Sequence, residues 1–102
     1  MNLRETAMYY VEELENAYNN GELYDYISNS ALDVEYTIGS NGNYLGTTFA
    51  LGLGGPNVYY DTRNSRVEVY WSGEEASVMV DRDVSSELDS FFEEECYMVI
   101  GR

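Results

Sequence analysis

Between Leu51 and Val80 the chain reads LGLGGPNVYYDTRNSRVEVYWSGEEASVMV. Apolar and polar residues alternate through most of this stretch, and Gly, Pro, Asn and Ser collect at its breaks. A period of two places successive side chains on opposite faces of a strand. Residues 57–61 and 66–72 are therefore a predicted hairpin through Thr62-Arg63-Asn64-Ser65. Val67, Val69 and Trp71 share one of its faces, and Arg66, Glu68 and Tyr70 the other. Ser72-Gly73-Glu74-Glu75 is the next turn, and Ala76, Val78 and Val80 form the inward face of a last strand.

Two strands precede this block. In 32–38, Leu32, Val34, Tyr36 and Ile38 face one way and Asp33, Glu35 and Thr37 the other, the pattern of a half-buried strand. The turn Gly39-Ser40-Asn41-Gly42-Asn43 leads to 44–53, where Leu45, Thr47, Phe49, Leu51 and Leu53 alternate with the small residues Gly46, Thr48, Ala50 and Gly52. A row of small residues lets a ring or backbone approach, as a ligand groove does; close packing or a bulge is the plainer reading. Gly54-Gly55-Pro56-Asn57 is Gly-rich, but no Lys follows and a strand comes next, so it reads as a turn and not a phosphate cradle.

Helices flank the strands. In residues 2–19, Leu3, Ala7, Tyr10, Val11, Leu14, Ala17 and Tyr18 make one apolar stripe, with Glu5 and Glu12 opposite and Glu13 and Glu15 on the flanks. Gly21 is placed to close this helix in a left-handed cap. Residues 22–30 form a short second helix that buries Leu23, Tyr26 and Ile27. A last helix begins near Asp83, the predicted N-cap, with Asp81 as the alternative. Val84, Leu88, Phe91 and Phe92 are its buried stripe. Asp83, Glu87 and Glu94 line one side of its exposed arc, Asp89 and Glu93 the other. Glu95 falls on the apolar side, so regular helix is expected to fray there, with the apolar tail CYMVI tucking back on the sheet. The expected fold is α+β: a single domain, 1–102, with an antiparallel meander of about five strands and the N- and C-terminal helices packed on one face. The other face would carry Asp33, Glu35, Glu68 and several Tyr.

Charge narrows the function. The chain has Asp+Glu 19 against Lys+Arg 5, no His, and a net charge of −14. The five bases are all Arg. Eight acids stand against Arg4 alone in residues 1–60, and eleven against four Arg in 61–102, so each stretch carries −7 and the acidity is not a tail. Eleven Tyr argue against a disordered acidic chain. Nucleic acid and anionic membranes would be repelled, while a basic nucleic-acid-binding protein would be attracted. The plainer account of the acids is solubility. One Cys excludes an internal disulfide, the acidic amphipathic N-terminus is not a signal peptide, and no apolar run approaches a membrane span; the cytoplasm is the expected location.

The run from Gly54 to Asn57, then Asp61-Thr62, Tyr70-Trp71 and an acidic C-terminal helix, resembles a group of small uncharacterised acidic proteins carried on bacterial conjugative elements and phages. In that pattern Gly often occupies the hairpin turn where this chain has Ser65. The resemblance covers less than half of the chain and implies a context, that of mobile elements whose proteins blunt host defence, and no activity.

Without His, Ser/His and Cys/His nucleophilic machinery is excluded, and one Cys cannot make a zinc site. Carboxylate pairs for glycosidase-like chemistry are present by type, but a small compact sheet offers little room for a cleft. Asp33, Glu35, Asp61 and Glu68 could gather a divalent cation on the outer sheet face, or be a solvated surface, and no calcium-loop spacing is present. A non-catalytic protein with no cofactor and no metal is expected.

The sharper expectation is nucleic-acid mimicry of the anti-restriction or anti-CRISPR kind. Helical residues three or four apart lie roughly 5–6 Å apart at Cβ, so Asp83, Glu87, Asp89, Glu93 and Glu94 would form a row of negative charge. Glu12, Glu13 and Glu15, with Glu5, would extend it from the first helix, and Tyr70 would anchor the interface. The alternative is a plain interaction module that uses a Tyr-rich sheet face or an edge strand to bind a partner or a second copy, as a homodimer.

Overall fold

The computed structural model describes residues 2–101; Met1 and Arg102, the ends of the predicted domain, lie outside the described residues. The chain runs α1 (Leu3–Asn19), α2 (Leu23–Ser30), β1 (Asp33–Ile38), β2 (Tyr44–Gly52), β3 (Asn57–Asp61), β4 (Arg66–Trp71), β5 (Glu74–Met79) and α3 (Arg82–Val99). The strands form one antiparallel sheet in the order β1-β2-β3-β4-β5. This is the expected α+β meander with helices at both ends.

Local chemistry sets the boundaries. Asn2 caps α1 by accepting the Glu5 N–H at 3.1 Å, and Gly21 follows the helix at φ 72°, the left-handed conformation that glycine adopts freely. The true N-cap of α3 is Asp81, whose Oδ1 accepts the Asp83 N–H at 2.9 Å; Asp83 sits in the first turn instead. The β4–β5 turn is shorter than expected. Trp71 pairs with Glu74, leaving Ser72 and Gly73 as a two-residue turn with positive φ at both, 53° and 82°. That twist matches the strands it joins. In the β3–β4 turn the Asp61 carboxylate accepts the Arg63 N–H at 2.9 Å and the Asn64 amide at 2.8 Å. Ser65 takes φ 54° there, the conformation a glycine in the turn would supply.

Phe49, Val58, Tyr60, Val67 and Val69 fill the covered sheet face, against Leu3, Ala7, Val11, Leu14 and Ala17 of α1 and Val84, Leu88 and Phe92 of α3. Phe49 meets Phe92 edge-on with ring centroids 4.9 Å apart. α1 lies over β4 and β5, α3 over β2, and α2 touches both long helices. Burying one large side chain of this kind is worth about 1.5–3 kcal/mol.

Several expectations are corrected. α3 does not fray at Glu95 but runs unbroken to Val99, because the Tyr24 hydroxyl reaches the Glu95 carboxylate at 3.0 Å and Cys96 is fully buried. Tyr97 ties the same end to the sheet by accepting the Tyr44 N–H at 2.9 Å. Phe91, placed in the buried stripe, is exposed beside Tyr24 at 5.1 Å. β1 is less buried than its alternation implied. It lies at the margin of the helical layer, which covers Tyr36 in part and leaves Leu32, Val34 and Ile38 exposed.

Candidate functional site

The predicted acidic row divides into three groups. Asp83, Glu87 and Glu94 are exposed on α3 at positions i, i+4 and i+11, along one line of the helix, with exposed Glu93 beside it. Glu12 is exposed on α1. Glu13 is half-buried and accepts the Tyr9 hydroxyl at 3.2 Å. That carboxylate pushes the Tyr9 hydroxyl up from its ordinary value of 10.0, through the hydrogen bond first and the charge second. Glu15 reaches across to α3 and accepts the Asp81 N–H at 3.2 Å. Of the α1 carboxylates, Glu15 therefore adjoins the start of α3, while Glu13 stands on the side toward Tyr26 of α2.

Asp89 is not part of the exposed row. It is half-buried, and its Oδ1 accepts the Thr62 and Tyr44 hydroxyls, each at 2.7 Å. Since Tyr44 donates to Asp89, Thr47 Oγ1 donates to Tyr44 Oη at 2.7 Å. The network closes through the Thr47 N–H, donated to Thr62 Oγ1 at 2.9 Å. Burial pushes the Tyr44 hydroxyl well above its ordinary value, with hydrogen bonds to Thr47 and Asp89 acting in opposite directions. Tyr70 is likewise not with the row. It lies on the uncovered sheet face, half-buried, donating to Glu68 at 3.1 Å with Tyr59 edge-on at 6.1 Å.

The uncovered face carries the expected acids and only two of its Tyr. Cross-strand pairing sets Asp33, Ala50, Tyr59, Glu68 and Ser77 in one row and Glu35, Thr48, Asp61, Arg66 and Met79 in the next. Asp33 is thus three strands from Glu68, and Glu35 two strands from Asp61. Among the described residues no group of three or more carboxylate, Cys or His side chains is close enough to hold a metal ion. The small-residue row is packing at its two ends, while Thr48 and Ala50 in its middle line a shallow depression with Asp33, Glu35 and Tyr59. A Cβ on Gly46 would stand 2.8 Å from Arg63 Cβ, one on Gly52 would stand 3.2 Å from Val58 Cγ2, and a register shift falls between Ala50 and Gly52.

The GGPN–DT–YW residues also have work inside the fold. A Cβ on Gly55 would stand 2.5 Å from the Trp71 ring, so glycine there makes room for the indole. Asn57 accepts the Gly54 N–H at 3.0 Å, Asp61 caps the hairpin turn, and Thr62 bridges β2 to Asp89. The Gly-rich run is a turn into a strand, as expected.

What the sequence reading missed is Asp89's role. Ser85, Asp89 and Cys96 follow one another at i, i+4 and i+11 beside the buried stripe, and that spacing was the available signal. Ser85 is buried on the same line, bonded at 2.7 Å to Tyr60 Oη and at 2.7 Å to Ser65 Oγ.

Among the described residues no helix is long and apolar enough to cross a membrane. No protein-family model, curated protein or solved structure matches the chain.

Proposed function

We propose that the chain is a non-catalytic acidic inhibitor that occupies the nucleic-acid site of a basic nucleic-acid-binding protein. The observation that carries this reading is the exposed carboxylate line Asp83, Glu87 and Glu94, with Glu93 beside it, on a helix whose residues after Arg82 include no base. From Asp83 to Glu94 the helix axis advances about 16 Å, a distance over which one DNA strand presents about five phosphates. The sequence of α1 from Glu5 to Asn19 also lacks a base, and Glu12 adds to the same layer. The guanidinium of Arg82 is turned the other way, donating to the Arg63 carbonyl at 3.1 Å, and that of Arg66 donates to Met79 Sδ at 3.4 Å. Relative to the sequence expectation, Asp89 and Tyr70 drop out of the binding set, and Glu15 contributes mainly by joining the helices. An anti-defence role is the context that the resemblance implies.

The test is capture of partners from bacterial lysate on the immobilised chain, at low and high salt, with and without duplex DNA. The expected result is a nucleic-acid-binding protein that is released by salt, displaced by duplex DNA and not retained by the Glu87→Gln/Glu93→Gln/Glu94→Gln variant. A partner held at high salt, indifferent to DNA and to the amide variant, overturns the reading.

A further inference from the structure

We propose that the outer edge of β1 is a docking site for an extended segment of a partner protein in which Lys or Arg alternates with apolar residues. The site is separate from the helical carboxylates and does not depend on their role. β1 is the first strand of the sheet order and has a neighbour on one side only. An edge of this kind offers main-chain hydrogen bonds to an added strand. The opposite edge, β5, lies under α1, whereas the helices reach β1 only near Tyr36, beside Glu95 and Cys96 of α3.

The two faces of β1 specify the occupant. On the helix side Val34 and Ile38 are 38% and 37% exposed, and Leu32, just before the strand, is 62% exposed. The half-buried Tyr36 continues this side, its hydroxyl pushed up first by burial and then by the Glu95 carboxylate beside it. On the other side Asp33 and Glu35 are exposed. The cross-strand row through Asp33 contains no base, and the one through Glu35 reaches Arg66 only three strands away. Strand side chains alternate between faces, and directly opposed Cβ atoms stand roughly 5 Å apart. An incoming strand with period two therefore sets its bases against Asp33 and Glu35 and its apolar residues alongside Val34 and Tyr36. The register shift between Thr37 and Ile38 limits the regular edge to the residues before it.

Charge decides against a second copy as the occupant. Two β1 strands paired antiparallel would keep their faces and bring Asp33 and Glu35 of one chain against the same acids of the other, between molecules of net charge −14 each. The same carboxylates that guard the edge against self-pairing favour a basic strand.

The experiment titrates the full chain with a short synthetic peptide alternating Lys and Val, and with an isomer of the same composition that has its Lys and Val in separate blocks. Amide exchange is followed alongside. The alternating peptide is expected to bind roughly tenfold tighter than the block isomer and to slow exchange in residues 33–37. Glu35→Lys, at an exposed position, should abolish that preference without changing the melting temperature, while Glu87→Gln/Glu93→Gln/Glu94→Gln should leave it intact. Equal binding of the two peptides, or a loss that follows the helical amides and not Glu35, overturns the proposal without touching the helical site's competition with DNA. A wild-type dimer in light scattering that Val34→Lys converts to monomer also overturns it, by giving the edge to a second copy.

Discussion

Asp89 of α3 accepts the hydroxyl proton of Thr62, which stands just beyond the end of β3, at 2.7 Å. The same oxygen takes the Tyr44 hydroxyl, so one carboxylate fixes α3 to the start of β2 and to the β3–β4 turn. Asp89→Ala leaves both hydroxyls without this acceptor, and such a loss costs about 2 kcal/mol. For a domain of this size that lowers the melting temperature by about 10 °C. Asp89→Asn keeps an acceptor oxygen and is expected to cost about half as much. Denaturant melts measure both. A stability change near zero for Asp89→Ala would return Asp89 to the exposed row, and partner capture would then have to fail in Asp89→Asn.

Ser65 occupies left-handed backbone, φ 54°, which favours glycine, yet its side chain is fixed in place: its Oγ donates to the Val80 carbonyl at 2.9 Å and bonds Ser85 Oγ at 2.7 Å. Side chain and backbone therefore pull in opposite directions. Ser65→Ala loses the hydrogen bonds and keeps the Cβ, while Ser65→Gly loses the hydrogen bonds and gains conformational freedom. The Ala variant is expected to be less stable than the Gly variant by about 1 kcal/mol. Equal unfolding midpoints would show that the turn relaxes out of the left-handed region once the hydroxyl is gone.

The sheet was legible because alternation is a local property. The faces of β4, the meander order and the covering helices all follow from spacing and short connections. What alternation does not report is whether anything lies over a face. Val34 and Ile38 satisfy the pattern of a covered strand and are exposed, because α3 crosses β2 and meets β1 only near Tyr36. The helical wheel located Asp89 on an arc but could not see Tyr44 and Thr62, which arrive from far along the chain. Glu95 misled for the same reason, since its partner Tyr24 lies on α2. Asp81 and Asp83 are equivalent by residue type, and only backbone geometry selects Asp81 as the cap. Of the candidate site, the exposed line on α3 was readable from spacing, whereas Tyr70's distance from it depends on which sheet face the helices cover.

With no His in the chain, no imidazole titrates between pH 5 and 8, and the informative range is alkaline. Burial, followed by the Glu13 carboxylate, pushes the Tyr26 hydroxyl from 10.0 up to about 12. Burial also raises Tyr36, Tyr44, Tyr60 and Tyr70. An unfolded Tyr ionises near its ordinary value of about 10. Between that value and about 12 the unfolded chain has released a proton that folded Tyr26 retains, so the unfolded state binds fewer protons and stability falls as pH rises. The Tyr26 contribution is fully present below about pH 10 and is lost by about pH 12. Denaturation midpoints should therefore decline across that window, with tyrosinate absorbance rising in step with loss of the helical signal. Tyr26→Phe removes one such group and should flatten the decline. Tyrosinate that forms at the unfolded value for every Tyr while the helical signal stays intact would mean that none of these hydroxyls is shielded in solution.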